Sequence, residues 1–118
     1  MAVALLTNTT VTPTVAVNAQ TASYTFVLAD GNNTLVTIAN ASANTVTIPP
    51  NSSVAFPVGT VLNFAQTGAG QTTITQGAGV TIISAGATAS APKTRAQYSA
   101  VTAIQTSANT WLVMGDIA

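Results

Sequence analysis

The chain has no cysteine and no histidine. Disulfides and thiolate metal sites are therefore excluded. The commonest metal ligand and the usual general base are missing too. Charge is almost as scarce. Lys93 and Arg95 are the only cations, Asp30 and Asp116 the only acidic side chains, and charged residues make up 3% of 118. An ordinary soluble domain carries roughly 25%. Nucleic-acid binding needs clustered Lys and Arg against phosphates, and so does electrostatic attachment to anionic lipid. Neither is supported here. Apolar runs stop after a few residues, as at Ala2 to Leu6, against the roughly 20 a membrane-spanning helix needs. No basic region precedes that run, which argues against a secretory signal.

What remains is Thr, Ser, Asn, Gln, Ala and Val with zero net charge. Near-zero charge favours association. The composition suits a protein that works within a permanent assembly or outside a cell. The length is that of one domain.

Ala43 to Asn63 organises the rest. A short alternating run, Asn44 to Ile48, stops at Pro49 and Pro50, and a second apolar run resumes after Asn51, Ser52 and Ser53. Proline fixes φ and donates no backbone hydrogen bond, so the segment reads as strand, corner, strand. Elsewhere Ser23 to Ala29 alternates through Tyr24, Phe26 and Leu28. Asp30 and Gly31 signal a turn, and the Gly-Ala-Gly triplets at 68 and 77 read as tight turns of a meander. Gln97 to Gln105 and Thr110 to Met114 close the set. Ser84 to Ala96 is the one long loop, and it holds both cations.

No segment has a helical period. The reading is all-β: a compact antiparallel β-sandwich or barrel of about eight short strands. Residues 1–20, Thr-rich and interrupted by Pro13, read as an extended N-terminal arm or edge strand, and residues 21–118 as a single β domain.

Acid–base chemistry needs two titratable groups in reach. Asp30 is read as a turn residue with local backbone partners, and Asp116 as a chain-end group or a partner for Arg95 or Lys93. No catalytic, cofactor-binding or metal-binding residue is assigned, and the chain is expected not to be an enzyme. Tyr24, Phe26, Phe56, Phe64, Tyr98 and Trp111 are the aromatics. Each sits in an apolar β run, so core packing is favoured over a sugar-stacking platform. Interface candidates are Leu5, Leu6, Val11, Pro13, Val15 and Val17 of the arm, with Lys93 and Arg95 of the loop.

The run from Asn44 to Leu62 resembles a small β domain of tailed-bacteriophage structural proteins. So do Gln66 to Ile74, Gly79 to Ile82, Gln97 to Ser99 and Trp111 to Asp116. The likeness extends from about Tyr24 to Asp116. In that group the module often belongs to tail fibres or spikes. With only a 20-residue arm ahead of it, the resemblance instead implies a head-decoration, or cement, protein. Such a protein is expected on the outer capsid surface of the virion, bound to the major capsid protein and to itself as a homo-oligomer, usually a trimer. The alternative is a tail-fibre module that contacts bacterial surface glycan.

Overall fold

The computed structural model describes residues 14–86 and 88–118. Nine strands are present among them: β1 Ala16–Gln20, β2 Tyr24–Thr25, β3 Thr34–Ile38, β4 Asn44–Ile48, β5 Val61–Gln66, β6 Thr72–Gln76, β7 Thr81–Ile83, β8 Ala100–Ser107 and β9 Thr110–Gly115. The only helical turn among these residues is a 3-10 turn at Leu28–Gly31. The protein is all-β.

The strands form two sheets. Sheet A has the order β1-β3-β5-β8-β9-β7, and sheet B the order β2-β4-β6. Among the described residues neither closes on itself into a barrel. The expected antiparallel pairing is also corrected. β1–β3, β3–β5, β2–β4, β4–β6 and β7–β9 are parallel, and only β5–β8 and β8–β9 are antiparallel.

The physical reason lies in the connections. Parallel neighbours need a long crossover, usually a helix. Here the crossover between two strands of one sheet is a strand of the other. The chain coils through β1, β2, β3, β4, β5 and β6, alternating sheets at each step. Gly-rich turns read the same in this coil as in a meander, because each reverses direction within a few residues.

The turns stack as the strands do. The Asn40 side chain donates to the carbonyl of Thr21 in the turn before it, and the Asn40 carbonyl accepts from Gly70 N–H in the turn after it. A Cβ at Gly70 would fall 1.9 Å from the Ser42 carbonyl oxygen. Glycine therefore sets how closely one coil lies on the next.

The β8–β9 hairpin inserts between β5 and β7 and supplies the antiparallel pairs. It needs its own glycine. Gly115 sits at φ +132°, and a Cβ there would come within 2.6 Å of the Ala100 carbonyl oxygen. On the other side, Pro92–Thr94 runs antiparallel beside β6, with Ile74 N–H donating to Pro92 and Thr94 N–H to Thr72. The loop read over residues 84–96 thus ends as an extension of sheet B.

The core lies between the sheets. Strict alternation sends Val36 and Ile38, Val46 and Ile48, Leu62 and Phe64, Val101 and Ala103, and Trp111 and Val113 inward. The proline corner spans the gap from β4 to β5 and contributes Phe56, whose ring meets Trp111 edge to face at 5.5 Å. Gln105 pins this corner. Its Nε2 donates to the carbonyls of Phe56 and Pro57, and its Oε1 accepts from Asn51 Nδ2.

One local reading changes. The strand read at Ser23 to Ala29 is cut to two residues, because the chain enters the 3-10 turn. Leu28, read on the same face as Phe26, is consequently exposed. Of the two readings open for residues 1–20, Ala16–Gln20 takes that of the edge strand, paired with β3 at the margin of sheet A.

Candidate functional site

Alternation that fills the core also decides what points away from it. On the outer face of sheet A, Val17, Leu35, Asn63, Thr102 and Met114 align as one cross-strand row. Val61, Ile104, Leu112 and Ile83 form a second. Val17 is 65% exposed, Ile83 50% and Met114 39%. None of these side chains is charged. The polar pair in the first row satisfies itself, with Thr102 Oγ1 donating to Asn63 Oδ1 at 2.8 Å. A shallow apolar groove of about 470 Å³ runs across the face beside Val15, Leu35 and Met114.

The outer face of sheet B has the opposite character. Thr25, Thr47 and Thr75 align in one row, and Thr45 and Thr73 in the next. Thr47 and Thr75 share a hydrogen bond between hydroxyls at 2.7 Å. The outer face of sheet B is therefore hydroxylic, while that of sheet A carries two largely aliphatic rows.

None of the four charged side chains belongs to either aliphatic row. Arg95 grips Asp116 through two nitrogens, at 2.7 and 2.9 Å. The Arg95 hydrogen bond, reinforced by Ser99, holds the Asp116 carboxyl below the usual range, and Asp116 in turn raises Arg95. This is one of the two partners expected for Asp116. Lys93 is exposed, and its backbone belongs to the sheet B extension.

Asp30 is the turn residue expected, with Val27 N–H as its local backbone partner, and it also binds beyond the turn. It is buried, at 2% exposure. Its Oδ2 accepts from Val27 N–H and Tyr24 Oη, both at 2.8 Å, and its Oδ1 accepts from Asn18 Nδ2 at 2.9 Å. One carboxylate thus ties β1, β2 and the 3-10 turn together. Burial first, then the bond to Asp30, pushes the Tyr24 phenol above its ordinary range. The arrangement can hold structure. With donors filling both oxygens and solvent excluded, it offers no open position for a substrate. Among the described residues no three acidic side chains converge as metal ligands.

Of the sequence candidates, Val15 and Val17 reach the outer face of sheet A at its β1 edge. Lys93 and Arg95 lie elsewhere, beyond β6 in sheet B. Leu5, Leu6, Val11 and Pro13 fall outside the described residues. Sequence reasoning missed Val61, Ile83, Leu112 and Met114. A signal was present: Trp111 to Met114 is apolar at every position, and strands covered on both faces read as unbroken apolar runs. The aromatics form no exposed cluster, since Phe26, Phe56, Phe64 and Trp111 are buried and Tyr98 alone is largely exposed. No family model, curated protein or solved structure matches the chain.

Proposed function

We propose that this protein is a structural component of a tailed-bacteriophage virion, a capsid decoration protein that binds the outer head surface and stabilises the shell. It works by contact, with no chemical step. The observation that carries the binding role is the largely aliphatic, uncharged pair of rows on the outer face of sheet A, on a module where Asp30, Arg95 and Asp116 are spent on structure. Exposed apolar patches of this kind mark interaction sites. The placement in a virion rests on the resemblance of Asn44 to Leu62 and Trp111 to Asp116 to phage β modules.

In this reading the protein self-associates, as a trimer by the same resemblance, and contacts the major capsid protein. Engaging several capsid subunits at once raises avidity without any single strong contact. Binding only the assembled shell stabilises it by mass action. The second reading is a tail-fibre module for bacterial surface glycan, and the hydroxyl rows of sheet B are what favour it.

Gold-labelled protein incubated with virions separates the two. Label on heads, with a raised temperature of capsid disruption, is the expected result. Label at tail tips, or retention on a column of host surface polysaccharide, would establish the second reading instead.

A further inference from the structure

We infer that Tyr98 is the anchor with which this protein engages the shell: a rigid aromatic knob that inserts into an apolar pocket of the capsid protein. The inference rests on the reading of the chain as a head-binding protein, and it assigns that contact to one residue.

The backbone supplies the first observation. Tyr98 sits at φ +71°. The other non-glycine residues in that region, among those described, are Asn33 at +50° and Asn109 at +60°. Asparagine tolerates the left-handed conformation, whereas a bulky aromatic is an outlier there. Glycine or asparagine would make the same turn with less strain. A strained residue of this kind points to a function beyond the turn.

The second observation is exposure. Tyr98 is 74% exposed, more than any other large hydrophobic side chain described. Phe26, Phe56, Phe64 and Trp111 are buried in the core. The Tyr98 ring adds little to that core, so packing within the chain does not offset the strain.

The third is rigidity. Arg95, Ala96, Gln97 and Tyr98 form an exposed run between buried Thr94 and Ser99. Tyr98 N–H donates to the Gln66 carbonyl, and Gln66 N–H to the Ser99 carbonyl. Ala96 N–H donates to Ser99 Oγ, whose hydroxyl donates to Asp116 Oδ2. Gln97 Nε2 donates to the Thr67 carbonyl at 3.0 Å, and Arg95 is clamped by Asp116. Bonds in this number over-determine the turn and fix where Tyr98 stands. A tyrosine held this way gives large contact area at small entropy cost, and Tyr and Arg lead among residues that dominate protein interfaces.

The kind of partner follows from shape and charge. Small ligands bind in concave sites, whereas four successive exposed residues present a convex one. A knob needs its pocket on the other molecule, which a folded protein surface offers. Arg95 and Asp116 neutralise each other, so the fit is apolar, with the phenol hydroxyl donating to an acceptor in the pocket. Ala100, two residues on, lines the apolar groove of sheet A. The anchor therefore borders the aliphatic rows and extends the same contact surface.

Titration of the labelled full chain onto virions produced without it, with urea denaturation of the same variants, tests this. The wild type is expected to saturate heads. Tyr98→Asn is expected to unfold at the wild-type urea midpoint or above, and to bind heads about tenfold more weakly or worse. Tyr98→Phe, which keeps the ring, is expected to lie between, and Thr45→Asn on sheet B to bind as the wild type. A lowered urea midpoint in Tyr98→Asn makes the ring structural and overturns the inference. Wild-type head affinity in Tyr98→Asn also overturns it, while head binding itself stands. Absence of wild-type label from heads overturns the head-binding reading and the anchor together. Two readouts identify rival occupants. A smaller sedimenting mass of free Tyr98→Asn than of free wild type gives the ring to a second copy. Retention of the wild type, but not of Tyr98→Asn, on host surface polysaccharide gives it to a glycan. Either result overturns the inference.

Discussion

Asp30 shows how much one buried group can hold. Its carboxylate collects donors from β1, β2 and the turn that follows, with 2% exposure. Asp30→Asn replaces one acceptor oxygen with a donor amide and sets it against groups that also donate. Leaving buried donors unmatched costs about 1–3 kcal/mol, so urea denaturation is expected to show a loss of about that size. Tyr24 gives the alkaline counterpart. The folded state keeps a phenol proton that the unfolded chain releases near pH 10. Stability from this group is thus complete below about pH 10 and falls as pH rises toward the higher folded value. Thermal melts from pH 9 upward are expected to decline, and Tyr24→Phe is expected to flatten that decline. The sequence made Asp30 visible as a turn residue beside Gly31. Its burial was not legible, because Asn18 and Tyr24 reach it only once β1 and β2 have gone to different sheets.

Among elements, the proline corner and the stacked turns carry the coil. Gln105 reaches from β8 to hold the corner at Phe56, Pro57 and Asn51. Gln105→Leu keeps the volume but strands those carbonyls, at about 1–3 kcal/mol. Amide exchange is expected to accelerate at Ser53, Val54 and Phe56 more than in β4. Gly70→Ala tests the stacking. Its added carbon meets backbone, which cannot swing aside as a side chain can. Overpacking of this sort costs about 1–3 kcal/mol, and a fall in the urea midpoint of that order is expected. The corner itself was legible from Pro49, Pro50 and Pro57. Its anchor was not, since Gln105 lies some fifty residues away in the chain.

At the scale of the molecule, the Arg95–Asp116 pair fastens the C-terminal segment to the extension of sheet B, beside the Thr94–Ile117 bridge. Because its partner lowers the Asp116 carboxyl, the pair's contribution is present above the ordinary carboxylate range and fades as pH falls through the lower folded value. Both side chains are largely in water, so salt screens the pair. Arg95→Ala is expected to lower the melting temperature at pH 7 by less than Asp30→Asn does, and to make no difference once Asp116 is protonated. Melts at pH 7 and at strongly acidic pH check both. The two-faced character of the molecule also belongs to this scale: threonine outward on sheet B, aliphatic side chains outward on sheet A.

The sequence by itself determined that the chain is all-β, that it turns at its prolines and glycines, and that Phe26, Phe56, Phe64 and Trp111 belong inside. Period-two alternation, missing helical periodicity and backbone restrictions are local properties, readable one residue after another. Strand pairing is not local. Tyr24 to Thr25 and Asn44 to Ile48 would carry the same alternation in a hairpin or in a coil. The tertiary structure alone decided that the sheets are mostly parallel and that β1 belongs to one of them. It also decided that Val17, Leu35, Val61, Ile83, Leu112 and Met114, scattered over five strands, share one outward face. Register brings them together, and register is set where the two sheets close on a common core.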